Sequence, residues 1–191
     1  MRTTGSIFYS ISFFFAVIFG IYDIEKVSFS GVSLFSDGES TGIIWRASGI
    51  WNSRCIKLSD SGKELGFTVY ASLLSLEQKK VLASREQKIT VTPDLNKQFY
   101  ALRIDNRVFN VTSHKEIKNL LNSGSIILHD TSLLSDSDEY SYFIEIKPVF
   151  SSQILQENAL SSQALWDNQI LAYSFRPLTL KKIKRIFEKQ R

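Results

Sequence analysis

Residues 65–73 read LGFTVYASL, and this run decides the fold class. Leu65, Phe67, Val69, Ala71 and Leu73 are apolar at every second place, the period of a strand that buries one face. Upstream, residues 27–35 also alternate apolar with small polar residues, and Ser36, Asp37 and Gly38 supply turn chemistry. Residues 42–47 and 54–58 are two further short strand candidates, and 59–63 a loop. Downstream, residues 79–92 carry Val81, Ala83, Ile89 and Val91 on a near-even spacing. Arg85, Glu86 and Gln87 interrupt it, which predicts a bulge or bend. Pro93 opens a turn. Residues 98–104 and 107–111 flank Asp105 and Asn106, the pattern of a hairpin with a tight turn.

One helix is signed by a capping box, Ser113 with Glu116, ahead of Ile117, Leu120 and Leu121, with Gly124 as the expected C-cap. Residues 125–129 return to strand. Residues 130–138 form a serine-rich acidic loop, and 139–150 place Tyr140, Tyr142, Ile144 and Ile146 on one strand face. Residues 154–165 read as loop or short helix, and 164–175 as a strand with Trp166. Many short strands, turn signals and no βαβ rhythm predict a mainly β protein: an antiparallel, immunoglobulin-like β-sandwich with one or two short helices. An apolar N-terminal helix precedes it. The expected division is a signal peptide or membrane anchor over 1–22, the sandwich over 23–176, and a basic amphipathic tail helix over 177–191.

The order of features also resembles a known family. Gly62, Leu65 and Phe67 precede Arg85-Glu86-Gln87, then Leu95, the aromatic pair Phe99-Tyr100, Val108-Phe109, the helix opening Ser113-His114-Lys115-Glu116-Ile117, and Tyr142 in a late strand. Over roughly residues 24–175 this is similar to a family of uncharacterised exported envelope proteins, mainly proteobacterial, known only as a domain of unknown function. The resemblance implies an exported β-rich body and supplies no activity or site residues. The basic tail is an addition to that pattern.

The leader, residues 7–22, reads IFYSISFFFAVIFGIY and is free of charge. As a helix it would be roughly 24 Å long, between a signal-peptide core and a short anchor for a hydrocarbon layer of about 30 Å. Arg2 precedes it and Asp23 follows, so the positive-inside rule keeps the N-terminus cytoplasmic and sends the body across the membrane. Cleavage after Gly20 would set Ile18 at the −3 position, a poor fit, so cleaved signal and retained anchor stay open, beside a buried core helix. The expected location is the bacterial cell envelope: inner-membrane anchored and facing the periplasm, or periplasmic after cleavage.

The 191 residues include one cysteine, Cys55, and two histidines, His114 and His129. These exclude an intramolecular disulfide and multi-cysteine metal centres, and leave little for a histidine-built one. Cys55 reads as a small buried hydrophobe and His114 as a solvated first-turn residue. Asp130, Asp136, Asp138 and Glu139 lack EF-hand spacing, and no nucleotide-binding, hydrolase or zinc-protease motif occurs. No cofactor is expected. Trp45, Trp51 and Trp166 are expected in the core.

The tail, residues 180–191, reads LKKIKRIFEKQR with six basic residues and one acid, +5 against +4 for the whole chain. At 100° per residue Leu180, Ile183, Ile186 and Phe187 share one arc, while Lys181, Lys182, Lys184, Arg185 and Lys189 face away. Such a helix binds a membrane surface or a partner protein, or packs as the end of its own domain. The leading expectation is a non-catalytic envelope module, tethered or periplasmic, that binds another envelope protein or a membrane surface through this tail. The alternative is a periplasmic hydrolase with a carboxylate-based site. Nucleic acid is not expected as a partner, because residues 23–179 are slightly acidic and the chain is read as exported.

Overall fold

The computed structural model describes residues 26–36, 39–94, 96, 98–150, 165–166 and 170–188. The leader, residues 151–164 and 167–169, and Lys189 lie outside them, as do the readings made there. The described chain is mainly β, with antiparallel sheets and three short helices. Its strands are β1 (Ser28–Ser36), β2 (Ser40–Ser48), β3 (Leu65–Ser75), β4 (Lys80–Asp94), β5 (Phe99–Ile104), β6 (Arg107–Val111), β7 (Ser123–Asp130), β8 (Glu139–Phe150), β9 (Leu171–Ser174) and β10 (Leu178–Thr179). The helices are α1 (Ser53–Asp60), α2 (His114–Leu121) and α3 (Leu180–Glu188), with a 3-10 turn at Thr131–Leu133. A small sheet has the order β1-β2-β7. A large one runs β10-β8-β3-β4-β5-β6, with β9 also on β8.

β3 lies inside the large sheet, between β8 and β4, and buries one whole face. Leu65, Phe67, Val69, Ala71, Leu73 and Ser75 are each at most 1% exposed. The register sets Phe67 beside Ile89 and Pro148, Val69 beside Ile146, Ala71 beside Ile144 and Leu73 beside Tyr142. The small sheet covers this face, with β7 approaching β3 and β4 and Leu34, Ile43, Trp45 and Ile126 joining the same cluster. Trp51 and Trp166 close one end against Phe67, Trp166 stacked at 5.9 Å between ring centroids. All three tryptophans are buried, as expected.

Four sequence readings need correction. Residues 54–58 are helical, not a strand: the Asn52 side chain accepts from the backbone N–H groups of Arg54 and Cys55 and so caps α1. The ladder between β3 and β4 runs unbroken through Arg85–Gln87, and the register shift falls at Leu82. The polar run marks instead where β5 ends, since β5 pairs only with Ile89 to Asp94. Helix α2 ends on Asn122 rather than Gly124. Ser113 caps it as expected, accepting from Glu116 N–H at 3.3 Å, but the Glu116 carboxylate reaches back to Thr112 N–H at 2.9 Å, one residue before the box position.

Gly124 lies in β7 directly under Trp45, its cross-strand partner. A Cβ there would sit 2.4 Å from the indole ring. Gly124→Ala is therefore expected to cost about 1–3 kcal/mol through displacement of a buried tryptophan, read as a lower urea midpoint with an unchanged slope.

His129 supplies a pH test. Its Nδ1 lies 2.7 Å from the Asp130 carbonyl oxygen, which can only accept, so Nδ1 carries the proton. Nε2 then accepts from the Tyr142 hydroxyl at 3.0 Å. Burial lowers the His129 pKa from the ordinary 6.5. The unfolded chain therefore takes up a proton that the folded one refuses, so this contribution is full above about pH 6.5 and is lost as pH falls below it. The urea midpoint is expected to stay level from pH 8 to 7 and decline from 6.5 toward 5.5. His129→Gln should flatten that decline, whatever it does to absolute stability.

Candidate functional site

Two places merit description: the basic helix singled out by sequence, and a cluster of four side chains that sequence reading passed over.

Helix α3 begins at Leu180, three residues later than expected, because Leu178 and Thr179 pair with β8 as β10, and the body takes up its apolar arc. Ile183 is fully buried and Leu180 8% exposed, while Ile186 and Phe187 pack partly buried against the core. The helix rests on β1 and β10. Burying a side chain such as Ile183 contributes about 1.5–3 kcal/mol, so the docked arrangement holds the apolar face on the body. Lys181, Lys182, Lys184 and Arg185 are all exposed, with Glu188 beside them. Lys184 approaches the exposed Asp136 at 4.0 Å, a surface pair of little energetic weight. The geometry thus fixes four cations on one solvent face of a short, anchored helix.

The second place joins Asp60 at the end of α1, Tyr100 at the start of β5, His114 in the first turn of α2, and Trp51. The indole Nε1–H can only donate, so His114 Nδ1 accepts from it at 3.3 Å and the imidazole proton sits on Nε2. Nε2 donates to Asp60 Oδ1 at 2.9 Å. The Tyr100 hydroxyl donates to the same oxygen at 3.1 Å and lies 3.1 Å from Nε2. Tyr100 is raised above its ordinary pKa of 10.0, first by burial and then by the hydrogen bond to Asp60 and that carboxylate's charge. With both imidazole nitrogens engaged, His114 presents no free nitrogen to a nucleophile. The cluster acts as a clasp that ties α1, β5 and α2 together. His114 is thus a partnered residue and not the solvated side chain its sequence position suggested. No local spacing could have shown this, because three separate elements and the segment before α1 contribute.

The other reactive groups are also engaged. Cys55 is buried with its thiol directed at the Ile50 carbonyl, 3.5 Å away, and burial pushes its pKa up to about 12. It therefore holds its proton and is no nucleophile. Asp138 is 4% exposed and accepts from the Ser75 hydroxyl and from Glu77 N–H, pinning the turn between β3 and β4 to the start of β8. Asp136 sits apart beside α3. Among the described residues no group of three or more His, Cys, Asp or Glu side chains converges as a metal site. No described helix is long and apolar enough to cross a membrane. Comparison with protein-family models and with curated protein sequences gave no significant match.

The clasp has a direct test. In Asp60→Asn the carboxylate charge beside Tyr100 is gone, so the tyrosine absorbance titration is expected to move down toward pH 10. A double-mutant cycle with Tyr100→Phe should give a coupling of roughly 0.5–1 kcal/mol, the scale of a partly solvated hydrogen bond.

Proposed function

We propose that the protein is a non-catalytic module of the bacterial cell envelope that lays helix α3 against an anionic membrane surface. The observation that carries this is the set of four exposed cations, Lys181, Lys182, Lys184 and Arg185, on a helix whose apolar side is fixed to the body. Near an anionic leaflet each contributes on the order of 1 kcal/mol, within a Debye length of about 10 Å. Position favours the same reading. Helix α3 packs on β1, and β1 begins five residues after the leader, over 23–27. Five residues span at most about 18 Å, so an anchor at 7–22 keeps the base of the body close to the bilayer. The attraction is electrostatic and superficial, because the apolar arc is occupied.

The two sheets are read as a β-sandwich, since the small one covers the core face of the large one. The immunoglobulin arrangement fits less well, because β3 to β6 lie side by side in one sheet as a four-strand meander, where that fold changes sheets. Export, an inner-membrane or periplasmic location, and kinship with the uncharacterised envelope family remain part of the proposal through the leader and the pattern quoted above. A hydrolase built on carboxylates finds less support, since Asp138 and Asp60 already serve as structural acceptors.

Residues 23–191 are expected to co-sediment with vesicles containing 30% anionic lipid, to ignore neutral vesicles, and to be released as salt rises. Replacing Lys181, Lys182, Lys184 and Arg185 by Gln should remove most binding and leave the unfolding midpoint within about 0.5 kcal/mol of the parent. Equal binding to neutral vesicles would overturn the electrostatic reading, and absence of binding would turn the search to a protein partner.

A further inference from the structure

The outer face of the large sheet, away from the small sheet, carries a trough that neither the helix nor the clasp uses. Its position follows from register. Val149, Gly66, Thr90 and Arg103 stand side by side across β8, β3, β4 and β5. Gly66 has no side chain and Thr90 a short one, so this row is low. A Cβ at Gly66 would lie 2.9 Å from the Val149 carbonyl oxygen, so β8 approaches closely there. Longer side chains stand in the rows on either side, Glu64 opposite Thr92 and Lys88 opposite Thr68. The result is two adjoining depressions of about 650 and 220 Å³ that share Glu64, Lys88 and Thr90. The larger volume lies in the range of small-molecule sites.

The trough's chemistry is uneven. Three carboxylates and three cations line the larger depression, so the formal charges cancel, but the hydrogen-bonding capacity does not. Two of the carboxylates accept hydrogen bonds and the third is in a loose ion pair. Glu64 accepts from the Thr92 hydroxyl at 2.5 Å. Asp105 accepts from Lys88 N–H at 3.0 Å and from the Gln87 amide at 3.4 Å. Glu86 lies 3.8 Å from the Lys88 ammonium. The guanidinium groups of Arg85 and Arg103 make no hydrogen bond or ion pair with the described residues. Each offers five N–H donors in a rigid fork suited to carboxylate or phosphate oxygens. Arg103, in the same row as Gly66 and Thr90, therefore offers the trough a guanidinium fork with open donors. The smaller one differs, since Val149, 42% exposed, stands at its end beside the bare backbone of Gly66.

We propose that this trough binds a small organic anion, its phosphate or carboxylate on Arg103 and its compact apolar part toward Gly66 and Val149. The oxygens complete the guanidinium fork, which gives orientation. The apolar part covers Val149, which gives preference over the free inorganic ion. The site is independent of α3, which belongs to another part of the fold.

The test uses the full chain in neutral non-ionic micelles, with phenyl phosphate, benzoate and inorganic phosphate as probes, followed by the arginine side-chain Nε resonances. Phenyl phosphate or benzoate is expected to shift Arg103, to bind at least tenfold more tightly than inorganic phosphate, and to weaken with added salt. Which of the two organic probes binds more tightly identifies the anionic group. Arg103→Gln should reduce affinity at least fivefold. Thr90→Tyr fills the trough, leaves every charge in place, and should abolish binding with the fold's spectrum retained. Equal affinity for the organic and inorganic probes would overturn the apolar half of the proposal. No shift with any probe, shifts confined to α3, or undiminished binding by Arg103→Gln would overturn the whole.

Discussion

The register of β3 is the constraint on which everything else depends. Its alternate residues from Leu65 to Ser75 are all but fully buried, and both flanking strands are matched to them residue by residue. A slip of one residue on either side would turn a whole row of apolar side chains to solvent. That cost holds β4 and β8 in place, and with them the rest of the large sheet. The clasp, the trough and the seat of α3 all inherit their geometry from this lock.

Polar groups then fasten what apolar packing has brought together. Asp138 ties the turn after β3 to β8. Asp105 ties the β5–β6 hairpin back onto β4 through Lys88 N–H. Asp60 and His114 join two helices to β5. Asn52 caps α1 and also donates its amide to the Leu165 carbonyl at 2.7 Å, drawing the segment with Trp166 under the helix. Asp138, Asp105 and Asn52 serve backbone groups that would otherwise stay unpaired, and the Asp60–His114 clasp joins side chains alone. A carboxylate or imidazole in this protein is therefore more often a fastener than a reagent.

What could be read from sequence follows the range of the signal. The strands at 65–73 and 139–150 and the hairpin about Asp105 were legible because alternation and turn chemistry are local. Helix α1 was missed because eight residues show barely two turns of periodicity, and Cys55 with Ile56 reads equally well as strand. Asn52 was the available clue. The docking of Ile183 had been one of three readings of an amphipathic tail, and only the body could choose among them. Trp45 over Gly124, the His114 clasp and the Gly66–Thr90 trough depend on partners set by register, which a single sequence does not encode in any short window. Of the candidate site, then, the cations of α3 were legible and their solvent-facing presentation was not.

The seat of α3 has a consequence for biogenesis. The helix lies on β1, so the first described strand is covered by residues made long after it. β8 likewise receives β9 and β10 on its outer edge only after residue 171. Such long-range closure makes folding slow relative to local hairpin formation. A growing chain thus keeps its core unsealed until α3 has emerged. Arrival of that helix, rather than any local event, becomes the moment at which the described body locks.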